Sequence, residues 1–246
     1  IMVRQVEDEI GVICMTVGAA HAGCRSMCAT SGGGFALMTE GVGAAGMMEV
    51  PLVIVNVQRA GPSTGVPTKT EQGDLWQVLG ASQGDFPKLI LAPSSPLDGF
   101  QTIPEVFNLA DKYQLPAIIL SDLLISDETS TIDPELLDMH PVIDRGKLIT
   151  EAGDEAGRYE RYKFTDSGIS PRALPGIPGY EHVVATDEHM PDGVLISDEF
   201  THPHKRRAMV EKRQHKMEGL LADLPPPAIV GDADAEVTLI GWGSTA

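Results

Sequence analysis

This chain is poor in cysteine and in positive charge, has no long apolar run, and carries none of the short nucleotide-binding motifs. Its three cysteines, Cys14, Cys24 and Cys28, are odd in number and closely spaced. They fit a reducing cytoplasm better than a disulfide framework, and we read all three as small side chains buried in an apolar region. The run C-x2-C-x2-C that holds an iron-sulfur cluster is absent, so any cluster is expected on another chain. No apolar stretch approaches the ~20 residues of a membrane helix, and we read neither a membrane span nor a signal peptide. Lys and Arg number 18 against 35 Asp and Glu, a formal charge of -17. That balance argues against nucleic-acid binding, which needs clustered cations for phosphate. Neither G-x-x-x-x-G-K-[ST], nor a usable G-x-G-x-x-G after a strand, nor G-x-S-x-G occurs.

What is present is an α/β pattern. The 246 residues are 42% apolar, ample for a sizeable core. Short β-rich runs alternate with amphipathic ones: strands at Met2 to Val6, Ser26 to Ala29, Leu52 to Val57, Leu89 to Leu91 and Ala117 to Leu120, and helices at Ile10 to Ala22, Phe35 to Met48 and Phe100 to Tyr113. Near-continuous apolar strands between helices imply a parallel sheet flanked by helices on both faces. In the second helix, Gly41, Gly43 and Gly46 suit close contact with another element, and we read that contact as a subunit interface.

From about Ser126 to Gly193 proline, glycine and acidic residues dominate, which predicts an extended irregular arm. Tyr159, Tyr162, Phe164, Ile169 and Tyr180 would anchor it to a partner. Phe200 to Leu221 reads as a helix whose Lys205, Arg206, Arg207, Lys212, Arg213 and Lys216 form a solvated or interchain-paired face. Leu224-Pro225-Pro226-Pro227 reads as a linker to a strand at Glu236 to Ile240. Both ends read as cut, as in an internal piece of a longer subunit.

Three segments place polar residues or glycines beside apolar strands. Gln5-Val6-Glu7-Asp8-Glu9 and Ala29-Thr30-Ser31-Gly32-Gly33-Gly34 each open a helix, and Val57-Gln58-Arg59-Ala60-Gly61-Pro62-Ser63-Thr64-Gly65 leaves a strand. Open parallel sheets bind ligands at their carboxyl edge, so the three suggest one site. Taken alone, an acid in a helical first turn is ordinary dipole chemistry. A glycine turn before a helix serves a tight turn or an anion equally well. Arg59 is a surface cation or a clamp for a carboxylate. His182, Asp187, Glu188 and His189 lack clear metal-ligand spacing and read as structural.

In order and spacing these segments, with Phe107 to Asp122 and the stretch Asp166 to His189 reading D-S-G-I-S-P-R-A-L-P-G-I-P-G-Y-E-H-V-V-A-T-D-E-H, resemble the pyrimidine-binding domain of thiamine-diphosphate enzymes. The resemblance is strongest to the alpha subunit of 2-oxoacid:ferredoxin oxidoreductases of the 2-oxoglutarate type, and covers nearly the whole chain. It implies a pyrimidine-binding domain over 1–124, an arm over 125–199, a helix and proline linker over 200–235 and, at 236–246, the first strand of a following transketolase C-terminal-like domain. It implies Glu9 as the catalytic glutamate that keeps the cofactor's ring nitrogen protonated, because Glu9 to Gly18 keeps the family's interval. Glu7, which does not keep it, is the reserve.

Thr30, Ser31 and Gly32 would contact cofactor or substrate, and Arg59 would bind the 2-oxoacid carboxylate. The family's diphosphate and Mg2+ are held by Gly-Asp-Gly, which this sequence lacks. Thiamine diphosphate is therefore expected to be shared with a beta subunit, with Mg2+ and iron-sulfur clusters on partner chains. The implied reaction is coenzyme A-dependent oxidative decarboxylation of a 2-oxoacid, with electrons passing to ferredoxin. A branched-chain acid, or a noncatalytic assembly module of the same fold, are the alternatives.

Overall fold

A computed structural model of the chain describes residues 1–196, 202–232 and 234–246. In chain order its elements are α1 (Glu9–His21), β1 (Met27–Thr30), α2 (Gly32–Met48), β2 (Leu52–Gln58), α3 (Leu75–Leu79), β3 (Leu89–Leu91), α4 (Pro96–Tyr113), β4 (Pro116–Asp122), α5 (Leu123–Asp127), the two-residue strands β5 (Leu148–Ile149) and β6 (Arg172–Ala173), and α6 (Pro203–Asp223). The main sheet has the order β1-β2-β4-β3, and its strand pairs are all parallel. The α/β expectation therefore holds.

Strand alternation divides the core. Leu52 and Ile54 of β2 and Ile118 and Leu120 of β4 face one way, onto Ile13 of α1, Phe35, Met38 and Val42 of α2 and Val78 of α3. Val53, Ala117 and Ile119 face the other way, onto Val106 and Leu109 of α4 and Leu220 of α6. Two-sided burial is why these strands read as unbroken apolar runs. α4 begins a turn earlier than expected, because the Ser95 hydroxyl accepts from the Asp98 N–H at 3.2 Å and Pro96 takes the first helical position.

Several expectations are corrected. Met2 to Val6 and Glu236 to Ile240 form no strand, and Met2, Val3, Val237, Leu239 and Ile240 are exposed. A strand needs a neighbour's N–H and C=O groups, and neither segment has one among the described residues. Cys28 alone is buried; Cys14 and Cys24 are exposed, and all three thiols are free. The helix glycines pack inside this chain: a Cβ on Gly41 would meet Ile13 at 2.6 Å, on Gly43 Ser82 at 2.2 Å, and on Gly46 Phe86 at 2.4 Å. Phe200, where the basic helix was expected to start, lies outside the described residues.

Much of the arm and one face of the basic helix pack on this chain: Lys212, Arg213 and Lys216 are buried, whereas Arg206 and Arg207 stay exposed. Glu49, fully buried at the end of α2, receives Lys212 Nζ and Lys216 Nζ at 2.7 Å each. Arg161 Nη2 donates to its carbonyl at 2.8 Å. Burial pushes the Glu49 carboxyl upward, but Lys216, Lys212 and Arg161 outweigh it and hold it well below the carboxylate range. Beside it Tyr162 and His189, both with 0% exposure, stack at 3.8 Å. Arg213 forks onto Glu188 with two bonds of 2.9 Å. Asp111 collects Arg25 at 2.9 Å, Arg145 at 2.7 Å and Arg172 at 3.5 Å. A long polar segment stays ordered on the core because its cations are buried against these carboxylates.

Removing one partner of a buried ion cluster strands the others, which costs about 3–5 kcal/mol. Glu49→Gln is therefore expected to lower the chemical-denaturation midpoint strongly, whereas joint replacement of Glu49, Lys212 and Lys216 by methionine costs much less. His189 gives a separate pH signature. Burial drives its pKa below 6.5, although the Met47 and Met190 carbonyls pull the other way. The unfolded chain then binds the extra proton, so stability falls as pH drops below about 6.5. Unfolding curves recorded across this range should show a shallower slope in His189→Phe than in wild type, the remainder coming from His21, whose pKa burial also lowers.

Candidate functional site

The expected site residues all lie at the carboxyl edge of the sheet, where α1 and α2 present their N-termini. Asp8 caps α1, its Oδ1 accepting from the Gly11 N–H at 2.7 Å. Glu9 is thereby fixed as the first helical residue, half-buried, with no hydrogen bond to its carboxylate among the described residues. Thr30 ends β1, and Ser31 is the N-cap of α2 without a side-chain capping bond. Glu7 is exposed.

Gly34 is where these groups converge. A Cβ placed there would lie 2.0 Å from Thr30 Oγ1, 2.8 Å from Glu9 Cγ and 2.9 Å from Glu9 Oε1. The glycine leaves room for a carboxylate and a hydroxyl from two other elements to meet at the first turn of α2. Gly33 faces the loop that follows β2, with the Ser63 carbonyl 3.9 Å from a Cβ built there.

That loop is tied at its base. Ala60 donates to the Lys69 carbonyl at 2.9 Å, Val66 to that of Ala60 at 3.0 Å, and Gly61-Pro62 is cis. Gly65, at φ 52°, has the Ala60 carbonyl 2.1 Å from where a Cβ would stand, so the turn accepts no side chain there. Arg59 emerges one residue beyond β2, half-buried, with no ion pair among the described residues. The structure brings Glu9, Thr30 and Gly32 to Gly34 together; Arg59 shares their edge without contacting Glu9.

Two carboxylates were missed by sequence reasoning. Asp74 lies against Gly32, held through Asn56 Nδ2 to its Oδ2 and through its N–H to Gln58 Oε1, both at 3.1 Å. Burial raises its pKa, with the Asn56 bond opposing and Glu71 adding to the rise. The available signal was Asn56, a polar residue interrupting an apolar strand. Asp122, at the end of β4, accepts from Ile125 N–H at 3.1 Å, Gln72 Nε2 at 3.2 Å and the Ser244 hydroxyl. Burial acts to raise its pKa, but these bonds prevail and hold it low. No group of three or more His, Cys, Asp and Glu side chains among the described residues is placed to hold a metal. No helix among them is long and apolar enough to cross a membrane.

Fold and edge together define an α/β ligand-binding domain of the doubly covered parallel type. The family model described as pyruvate flavodoxin/ferredoxin oxidoreductase, thiamine diphosphate-binding, matches residues 1–211, and the chain belongs to that family. It is 42% identical over 99% of its length to the 2-oxoacid:ferredoxin oxidoreductase 1 alpha subunit of Sulfurisphaera tokodaii, covering 38% of that protein. It is 40% identical over 98% of its length to the 2-oxoglutarate oxidoreductase subunit KorA of Mycobacterium tuberculosis, covering 36% of it. Among solved structures, the 2-oxoglutarate:ferredoxin oxidoreductase of Magnetococcus marinus, with 2-oxoglutarate, coenzyme A and succinyl-CoA bound, matches 94% of this chain at TM-score 0.78 and 37% identity, covering 39% of that chain. The present chain thus spans well under half the length of these relatives.

Gly34→Ala tests the convergence. Alanine favours a helix by about 1 kcal/mol over glycine, so helix stability should not suffer. The added methyl displaces Thr30 or Glu9, and binding of thiamine diphosphate, the ligand named for this family, is expected to weaken in a direct titration.

Proposed function

We propose that this chain is the alpha-subunit portion of an oxidoreductase that converts 2-oxoglutarate and coenzyme A to succinyl-CoA and carbon dioxide, with electrons passing to ferredoxin. Relatives named for 2-oxoglutarate support the choice of acid. The observation that carries the reading is the meeting of Glu9 and Thr30 at Gly34, on the ligand-binding edge. The pair suits the ring end of thiamine diphosphate: a carboxylate with free oxygens and a hydroxyl, brought together because Gly34 has no side chain.

When bound, thiamine diphosphate supplies a nucleophilic carbon for the keto group and an electron sink for the decarboxylated fragment. Glu9 would hold a proton at the cofactor's ring nitrogen, its carboxylate being fixed by the start of α1 and free of competing bonds among the described residues. Thr30, Ser31 and Gly32 wall the same space. Arg59 clamps the acid's carboxylate through its planar guanidinium, which no protein anion among the described residues occupies.

A beta subunit would hold the diphosphate and Mg2+, because Gly-Asp-Gly is absent from this sequence, and iron-sulfur clusters would sit on partner chains. Residues 1–124 would be the pyrimidine-binding domain, 125–199 its arm, 200–235 a helix and linker, and 236–246 the start of a following domain. The free thiols suit the cytoplasm.

Anaerobic, coenzyme A-dependent dye reduction by the assembled enzyme, with 2-oxoglutarate, pyruvate and a branched 2-oxoacid, tests the reading. Preference for 2-oxoglutarate is expected. Glu9→Gln should lower kcat by about 100-fold or more, and Arg59→Lys should mainly raise KM. Full activity in Glu9→Gln would remove the catalytic assignment.

A further inference from the structure

Two places on the carboxyl edge attract an anion. One is the Arg59 guanidinium, and the other is the start of α2, whose N-cap Ser31 makes no side-chain capping bond and whose first turn carries no acid. The protein fills the second with a charge of its own. The Asp74 carboxylate lies so close to Gly32 that a Cβ there would fall 2.6 Å from Oδ2 and 2.8 Å from Oδ1.

Asp74 is held there at a cost. It does not cap α3, the helix it precedes. Instead Asn56 donates to its Oδ2 and Gln58 accepts from its N–H, each at 3.1 Å. Both amides have 0% exposure, in a strand that is otherwise apolar. Asn56 Oδ1 is buried without a hydrogen-bond partner, and the Asp74 bond is the one hydrogen bond of its side chain among the described residues. An incompletely satisfied buried amide is a desolvation cost that packing alone would not call for. Its effect is to fix one carboxylate at one helix start.

We propose that Asp74 is a specificity residue. It supplies the negative charge at the start of α2, so that the carboxylate of an incoming 2-oxoacid is left to Arg59. The inference rests on the reading that Arg59 binds the acid.

Asp74→Asn keeps an acceptor for Asn56 and the N–H for Gln58 but removes the charge. In the assembled enzyme, inorganic phosphate is titrated as an inhibitor against the 2-oxoacid. Its direct binding is followed by fluorescence of Trp76, which is 82% exposed and two residues from Asp74, with Trp76→Phe as the blank. Phosphate is expected to bind Asp74→Asn about tenfold more tightly than wild type, the scale of a charge at a helix terminus. The thermal midpoint should be unchanged.

Equal phosphate affinity in the two proteins overturns the proposal. So does a pattern in which Asp74→Ala is destabilised while Asp74→Asn behaves as wild type, since Asp74 would then serve packing alone. Failure of the Arg59 reading shows separately, as an unchanged KM in Arg59→Lys, while the fluorescence titration still reports on the start of α2.

Discussion

The carboxylate of Glu49 ties the peripheral half of the chain to the sheet. It sits at the left-handed C-cap of α2, at φ 52°, and meets lysines 163 and 167 residues further along. Neither the carboxylate nor the ammonium groups could be buried alone, since each ion loses several kcal/mol of hydration. Burial pushes Lys216 down to about 8 even with Glu49 beside it. The cluster is consistent when all its members arrive together. A shift of α6 by one residue would turn Lys212 and Lys216 off the face that meets Glu49. The arm is bound by the same condition, through Arg161 on the Glu49 carbonyl and His189 against the Met47 carbonyl at 3.2 Å.

The two edges of the sheet are electrically opposite, and the cations follow that polarity. Helix C-termini carry partial negative charge. At the amino edge Arg172 donates to the Ala20 carbonyl at the end of α1, Arg145 to that of Gly23, Arg161 to that of Glu49, and Lys216 to that of Gln114 after α4. A chain of net charge -17 thus spends several of its few basic residues on one internal surface. Arg59 stands at the opposite edge and, like the exposed Lys69 of the same loop, has no ion pair among the described residues. Its freedom there, beside helix N-termini, is the feature that best separates it from the structural arginines.

The sheet and the helices that flank it were legible because their signals are local. Leu89 to Leu91 reads as a buried strand from its own residues, and α1 from its acidic first turn and the spacing of Ile10, Ile13, Cys14 and Val17, although Ile10 and Cys14 prove exposed. The placement of Thr30 followed from strand-helix order, whereas Glu9 was read as following a strand at Met2 to Val6 that does not form and reaches the edge through the start of α1. Gly34 as their meeting point was not legible, because a missing Cβ announces nothing about which side chain fills its space. The buried face of α6 was misjudged for a related reason. Lys212 and Lys216 look like a solvated face until Glu49 is known to lie beneath them, and Glu49 looks like an ordinary residue after a helix. Partners so far apart in sequence leave no periodicity to read. Asn56 was visible as a polar break in β2, but only the fold reveals Asp74 as the group it holds.

Three carboxylates at the carboxyl edge differ in how they are held, and that difference separates their roles. Asp122 is engaged by a backbone N–H, an amide and a hydroxyl, so its lone pairs are largely committed to closing β4, the Gln72 loop and residues 242–245 on one another. Asp74 is pinned by two buried amide side chains against Gly32. Glu9 is positioned without hydrogen bonds to its carboxylate among the described residues, by the Asp8 cap beneath it and the open Cα face of Gly34 beside it. A group that must exchange a proton with a ligand cannot also be saturated by the protein, since each committed lone pair must be freed before the ligand is engaged. Of the three, Glu9 alone combines a fixed location with unspent hydrogen-bonding capacity. That physical ground is independent of the family resemblance.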